Sequence, residues 1–284
     1  MKFKTYNYKK TPDFIQIETN ILCNAKCDFC TQHLVTRRPV QMEERVWKKI
    51  IDDSRGLGIT YRPFLLNEPF TDPRMIEICR YIKQDKTAKI EFNTNAALLT
   101  PEKTDELLKI GVDAIRFSID GYYEDKYKER RKGLDFKTAV SNTEYFCKKA
   151  KDTTTFTEVR MIAFPGSEEE QQLFLKRWEP IAKKVSTTSL YRYPWEGQEA
   201  VIYKPCLKIR NEMFFYVDGR ATLCCWDTSE RAVIGDAKEQ NVLDIWNGEV
   251  LCKHRELLGQ GQRDKIILCS RCDAYQSVKF ETED

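Results

Sequence analysis

The chain has 284 residues, 41% hydrophobic and 32% charged, a globular mixture long enough to bury a real core, which excludes wholesale disorder. Its 47 basic and 44 acidic residues leave a net charge of +3, too little to point to nucleic acid or a membrane surface. Eleven cysteines against two histidines, His33 and His254, exclude a histidine-rich metal site and direct attention to sulfur.

The N-terminal MKFKTYNYKKTPDF is charged and lacks an apolar h-region, and the longest apolar run of note, Met213 to Val217, is too short to cross a bilayer. A soluble, cytoplasmic protein is therefore expected. From there, short runs rich in β-branched and aromatic residues alternate with amphipathic ones. FIQIET, RPFLL, KIEFNT, AIRFSI, EVRMIAF and SLYRY read as strands, and EERVWKKIIDDSRGLG, PRMIEICRYIKQD, TPEKTDELLKIG, FKTAVSNTEYFCKKAK and SEEEQQLFLKRWEPIAKK read as helices. The alternation predicts an α/β fold, a partial (β/α)6 TIM-like barrel over residues 13–196, with its chemistry in the loops after the strands. After Tyr203 the alternation stops. FFYVDGRATLCCW reads as a hairpin turning at Asp218-Gly219, which places a domain boundary within 196–204. A small hairpin-plus-helix domain is then expected over 203–275, with a tail over 276–284.

An odd number of cysteines in a long chain without a secretion signal favours metal or redox chemistry over a disulfide framework. Cys79 and Cys147 lie on apolar sides of helical patterns and read as core. Cys23, Cys27 and Cys30 follow the first strand with C-x-x-x-C-x-x-C spacing. Three thiolates leave a four-ligand site incomplete: His33 would complete a zinc site, whereas a four-iron cluster would keep one iron open. Cys206, Cys224, Cys269 and Cys272, separated by 18, 45 and 3 positions, fit zinc and an iron–sulfur cluster about equally. On spacing alone, a non-enzymatic zinc scaffold stays open.

The segment Cys-Asn-Ala-Lys-Cys-Asp-Phe-Cys resembles the C-x-x-x-C-x-aromatic-C signature of the radical S-adenosylmethionine (SAM) enzymes. The resemblance implies that Cys23, Cys27 and Cys30 hold a 4Fe-4S cluster whose open iron chelates SAM, and that reductive cleavage yields a 5'-deoxyadenosyl radical. It further implies a set of SAM contacts. Phe29 matches the aromatic position near the adenine. Leu66-Asn67-Glu68-Pro69 is similar to the family's Gly-Gly-Glu-Pro, so Asn67 and Glu68 would hold the methionine amino group, although neither glycine is present. Asn93-Thr94-Asn95 is similar to Thr-Asn-Gly, with Ala96 in place of glycine and Asn95 as the contact. Ser118, in Ser118-Ile119-Asp120-Gly121, would lie near the ribose. Of the pair Arg130-Arg131, Arg130 is taken as the SAM carboxylate anchor, with Arg160 as an alternative.

The C-terminal pattern C…GxxxxCCWD…IGD…VLDIWNGE…HRE…CxxC resembles the SPASM extension of the same family. Twelve residues follow Cys272 and none is cysteine, so the shortened Twitch form is expected. That form implies one auxiliary 4Fe-4S cluster on Cys206, Cys224, Cys269 and Cys272. Cys252 reads as core. Cys225 is the candidate catalytic thiol, or a replacement for Cys224 as ligand. Three reactions compete: dehydrogenation of a small polyol, sugar or amino-sugar with the auxiliary cluster taking the electron, epimerisation with Cys225 as hydrogen donor, and modification of a peptide. Only 22 residues precede Cys23, which weighs against a peptide-recognition domain and, with the chain length, against a cobalamin domain. The expectation is a small-molecule substrate contacted by Tyr191 and Arg192, and an electron donor such as flavodoxin or ferredoxin, with no nucleic-acid or membrane partner.

Overall fold

A computed structural model describes residues 8–190 and 206–272, with the backbone of residues 2–3 and 282–283. In chain order the strands are β1 (Lys2–Phe3), β2 (Phe14–Ile17), β3 (Thr60–Arg62), β4 (Lys89–Thr94), β5 (Ala114–Ser118), β6 (Phe156–Ala163), β7 (Lys184–Ser189), β8 (Glu212–Phe215), β9 (Arg220–Thr222), β10 (Val233–Asp236) and β11 (Thr282–Glu283). The helices are α1 (Glu44–Asp52), α2 (Met75–Ile82), α3 (Pro101–Ile110), α4 (Glu124–Arg130), α5 (Phe136–Ala150), α6 (Glu168–Trp178), α7 (Lys208–Asn211), α8 (Val242–Trp246) and α9 (Glu249–Gly259). Strands β2 to β7 pair in sequence order, all parallel, as expected of repeated β-α units. Strand β8 then pairs in parallel with the other edge of β2, and β9 and β10 follow antiparallel. The C-terminal hairpin thus continues the barrel's own sheet. No helix among the described residues is long and apolar enough to cross a membrane.

Strand periodicity divides the sheet into two faces. Ile90 and Phe92 of β4, Ile115 and Phe117 of β5, and Val159 and Met161 of β6 are fully buried; Phe117 packs edge-on against Phe146 of α5 at 5.4 Å. The alternate positions form an ionic ladder across the opposite face. Arg62 pairs with Glu91 at 3.0 Å, Glu91 with Arg116 at 3.0 Å, and Arg116 with Glu158 at 3.3 Å. Glu158 also accepts from Arg160 at 2.7 Å, and Glu212 of β8 joins through Arg62 at 3.4 Å. Each buried charge there has an opposite neighbour, the condition under which a polar barrel interior is tolerable.

Local signals set the helix ends. Thr100 accepts from the Lys103 amide ahead of Pro101, and α3 stops at Gly111 with φ +82°; Asp135 accepts from the Thr138 amide to start α5. Three elements differ from the sequence expectation. The second strand is Thr60–Arg62, which takes in only Arg62 of RPFLL because Pro63 cannot donate to the ladder, leaving Phe64 to Leu66 in the following loop. The sixth strand is Lys184–Ser189, which meets SLYRY only at Ser189; residues 191–193 of that run lie outside the described residues. The strand ends the described sheet, half-buried, with threonine and serine where an inner strand carries aromatics. Helix α4 was not foreseen, since only Tyr127 on it is buried. The expected boundary at 196–204 lies outside the described residues.

Two buried joints fix the loops. Gly121, after β5, sits against α4: a Cβ there would lie 2.8 Å from the Tyr127 amide nitrogen and 2.9 Å from its Cα. The second joint is Glu18, which follows β2 and is fully buried, and Arg37. The Glu18 carboxylate accepts from Arg37 Nε at 2.9 Å and from the Val217 amide at 3.1 Å. Burial pushes the Glu18 carboxyl up from 4.5 to about 7; Arg37 and the Val217 amide pull the other way, and Asp218 and Glu230 add to the rise.

Gly121→Ala is expected to lower stability by about 1–3 kcal/mol because the obstruction is backbone, read from urea unfolding against wild type. The Glu18 carboxyl binds its proton more tightly folded than unfolded, so its contribution is complete below pH 4.5 and is lost as pH rises to about 7. Wild-type unfolding free energy should therefore fall relative to Glu18→Gln over that window and run parallel above it, which equilibrium unfolding at a series of pH values would measure.

Candidate active site

The strand ends open at one edge of the sheet, where a cavity of about 870 Å³ is lined by Cys23, Cys27 and Cys30 together with the loop after β3 and residues at the carboxyl ends of β4, β5, β6 and β7. The size is within the roughly 300–1,000 Å³ of small-molecule sites. The cysteine loop is tied down by its neighbours. Asn20 Oδ1 accepts from the Leu22 amide at 3.0 Å and from Asn67 Nδ2 at 3.2 Å, and the Glu68 amide donates to Leu22 O at 3.0 Å. Asn24 accepts from Asn95 Nδ2 at 2.8 Å, and the Lys26 amide donates to Lys132 O at 2.8 Å.

Glu68 is the best-buried acid of the cavity. One oxygen accepts from Thr94 Oγ1 at 2.7 Å and the Phe70 amide at 3.3 Å, the other from the Asn95 amide at 2.8 Å. Burial raises its pKa even though these donors favour the charged form. A carboxylate has about four acceptor positions, so three are spent on joining the β3 and β4 loops and one remains for a ligand. Asn67 is likewise engaged, accepting from the Leu65 amide at 2.9 Å. Ala96, where the resemblance expected glycine, holds φ +66°, and Asn142 of α5 donates to its carbonyl at 2.9 Å.

Of the sequence candidates for SAM contact, Phe29, Asn67, Glu68, Asn95 and Ser118 line this cavity, whereas Arg130 does not. Arg130 turns to a separate cavity of about 700 Å³, paired with Glu170 at 2.9 Å and stacked 4.3 Å from the Phe164 ring centre. Its neighbour Arg131 lines the thiol cavity. Arg131 forks onto Asp120 Oδ2 at 2.7 and 2.5 Å and lies 5.4 Å from the Phe29 ring centre. The signal for it was Asp120 in the same Ser-Ile-Asp-Gly segment that drew attention to Ser118. Arg160 is held by Glu158, with its buried Nε lacking a partner. His33 also lines the cavity, and its Nδ1 donates to the Cys30 carbonyl at 2.6 Å. Tyr191 and Arg192 lie outside the described residues.

Burial pushes Cys23 up to about 11, reinforced by Glu68, Cys30 and Cys27, and raises Cys27 against the pull of Arg131. Thiols held this way ionise when they bind a metal. Three thiols lining one cavity, a buried carboxylate with a free acceptor position and one guanidinium fit a cluster with an open iron and an amino-acid ligand upon it.

Cys206, Cys224, Cys269 and Cys272 meet at a second pocket, otherwise lined mainly by Ile209, Leu223, Trp226, Leu258 and Leu268. Burial raises Cys206 and takes Cys269 to about 12. Four thiols in an apolar pocket fit a fully ligated iron–sulfur cluster. Cys225 lines neither cavity. It is buried in an apolar group with Leu65, Phe214 and Tyr216, and Cys252 is exposed rather than core.

The Radical SAM superfamily model matches residues 17–176, and the SPASM model, an iron–sulfur cluster-binding domain, matches residues 206–273. The chain belongs to the radical SAM superfamily. It therefore carries a domain that binds SAM and a 4Fe-4S cluster, followed by one that binds further iron–sulfur clusters. The S-adenosyl-L-methionine-dependent 2-deoxy-scyllo-inosamine dehydrogenase of Niallia circulans is 21% identical over 274 residues, 95% of each chain. The tungsten-containing aldehyde ferredoxin oxidoreductase cofactor-modifying protein of Pyrococcus furiosus is 28% identical over 109 residues, 38% of this chain and 30% of that protein. A GTP 3',8-cyclase of Chlorobaculum tepidum is 24% identical over 123 residues, 43% of this chain and 37% of that one. The chain spans about a third of the length of these last two. BtrN in complex with AdoMet and 2-DOIA superposes with a TM-score of 0.65 at 17% identity, covering 93% of each chain. Streptococcus suis SuiB bound to precursor peptide SuiA gives 0.71 at 15% identity, covering 89% of this chain and 68% of that one. These likenesses are of fold.

Glu68→Ala would leave the Asn95 and Phe70 amides and the Thr94 hydroxyl without their acceptor. A loss of about 2–5 kcal/mol in unfolding free energy is expected, and roughly half that for Glu68→Gln, which keeps an acceptor oxygen.

Proposed function

We infer that this enzyme is a dehydrogenase acting on a hydroxylated small molecule, a polyol, sugar or amino-sugar, with a single auxiliary cluster as the electron acceptor. The observation that carries the reading is the grouping of the thiols: three line the large cavity, four line the apolar pocket, and Cys225 lines neither, being buried against Leu65, Phe214 and Tyr216 next to the ligand candidate Cys224. A hydrogen-donating thiol for epimerisation would need to face the substrate. The similarity along 95% of both chains to the Niallia circulans dehydrogenase supports the same choice. When bound, SAM and its cluster supply a 5'-deoxyadenosyl radical, and the auxiliary cluster takes up one electron. The alcohol then loses a hydrogen atom from carbon, a proton from oxygen and an electron, which leaves a carbonyl.

The residues divide the remaining work. Glu68, with its free acceptor position, and Arg131 would hold the amino and carboxylate groups of SAM, and Phe29 would bound the adenine side. Asn67 and Asn95 would hold the loops that carry these groups. Ser118, Asn93 and Thr188 offer uncharged hydrogen-bonding groups along the sheet side of the cavity, the kind of lining that orients hydroxyls. Tyr191 and Arg192 remain proposed substrate contacts, and a flavodoxin or ferredoxin the proposed source of the first electron.

Anaerobic reconstitution should give about eight irons and matching sulfide per chain; stoichiometric zinc without sulfide would refute the two-cluster reading. Cys269→Ala combined with Cys272→Ala should remove the auxiliary cluster, keep SAM cleavage to 5'-deoxyadenosine, and abolish carbonyl product. With substrate deuterated at the reacting carbon, Cys225→Ala should still move the label into 5'-deoxyadenosine and form the carbonyl. Return of solvent hydrogen to carbon in wild type, lost in that variant, would establish epimerisation instead.

A further inference from the structure

Glu18 and Arg37 bracket the first ligand loop. Glu18 stands at the exit of β2, Arg37 beyond the short turn Thr31–Leu34, and Cys23, Cys27 and Cys30 all lie between them. Both members of the pair reach across to the hairpin. Glu18 accepts from the Val217 amide at 3.1 Å and donates its own amide to Phe215 O at 2.9 Å. Arg37 donates Nε to Glu18 at 2.9 Å and Nη1 to Thr228 O at 3.3 Å, with its guanidinium 4.2 Å from the Tyr216 ring centre. Residues 217 and 228 flank Cys224.

The hairpin side is itself held rigid. Tyr216 Oη donates to Asp227 O at 2.7 Å, while the buried Asp227 carboxylate accepts from Thr222 Oγ1 at 3.0 Å and from the Arg231 and Ala232 amides at 3.0 and 2.9 Å. The Asp227 amide donates to Cys224 O at 3.0 Å. An ion pair this deeply buried is a poor source of stability, because the loss of hydration offsets most of the attraction. What it supplies is direction: a forked donor and a two-oxygen acceptor fit one relative placement of the segments that carry them.

We propose that Glu18 and Arg37 are a positioning pair that fastens the first cluster's ligand loop to the hairpin carrying Cys224, so that the two cluster sites form one rigid unit with a fixed spacing. The proposal rests on the two-cluster reading above for its consequence, since electron tunnelling falls steeply with distance, and on the geometry alone for the lock itself.

Three variants test it in the reconstituted holoprotein: Arg37→Lys, which keeps the charge without the fork; Glu18→Gln, which keeps the shape without the charge; and Glu18→Leu with Arg37→Met, which fills the space with apolar atoms. Amide hydrogen exchange in residues 19–36 and 216–228 should accelerate together, by about tenfold or more, in each variant that folds. The dipolar interaction between the two reduced clusters in pulsed EPR should broaden in the same variants. Carbonyl formed per 5'-deoxyadenosine should fall while 5'-deoxyadenosine formation stays within about twofold, a split that a general loss of stability would not produce. Wild-type protection of either segment in the folded variants, or full protection in the apolar double variant, would overturn the proposal. Iron for a single cluster in wild type would refute the functional reading instead, and the exchange measurement would still decide the lock.

Discussion

The site depends on β2 being hydrogen-bonded on both edges. In most partial barrels of sequential β-α units the first strand would leave a free edge, a liability that proteins cover in one way or another. Here β3 occupies one side and β8 the other, both parallel. Whatever follows β2 is therefore centred between the barrel and the C-terminal segment. The loop that follows β2 carries Cys23, Cys27 and Cys30, so sheet pairing places the first set of thiols beside the hairpin that carries Cys224. The crossover rule for parallel strands adds the rest: every later loop after β3, β4, β5 and β6 must open at the same end.

How much of this was legible depended on burial. β4 was read to the residue, since KIEFNT alternates under helices on one face, and α3 and α5 carried their own stop and start signals in Thr100, Gly111 and Asp135. Thiol grouping was legible as well, because a ligand set needs its spacing regardless of context. The failures have local and remote causes. Pro63 ends the second strand because it has no amide to donate to the ladder with β4, and β7 is half-buried or exposed along its whole length, so its polar side chains gave little signal. Arg130 and Arg131 are neighbours at the end of α4, and successive helical positions point about 100° apart. Only one of them can face the thiols, and Asp120, eleven positions earlier, selects Arg131.

That choice shows how the site is built electrostatically. Arg131 is anchored by Asp120, Arg130 by Glu170, and Arg160 by Glu158. Each of these three guanidinium groups is committed to a carboxylate, and Arg131 is the one of the three that also faces Cys27 and Phe29. The ladder from Glu212 to Glu158 neutralises the polar face of the sheet strand by strand.

Glu68 ties the β3 and β4 loops together. Its three internal donors come from two loops, so the carboxylate is first a structural pin, and its remaining acceptor position is the one proposed for SAM. The missing glycines of Leu66-Asn67-Glu68-Pro69 then cease to be a difficulty. Asn67 closes the turn through its side chain, to the Leu65 amide and to Asn20, where a glycine would rely on backbone freedom. Ala96 makes the complementary trade. It keeps the left-handed conformation at about 1–2 kcal/mol of strain, compensated by a fully buried methyl group and by the hydrogen bond from Asn142 to its carbonyl. The loops around the thiols thus reach the family's arrangement through side-chain bonding rather than through glycine, which accounts for a motif that departs in letters and still places Glu68 beside the cysteines.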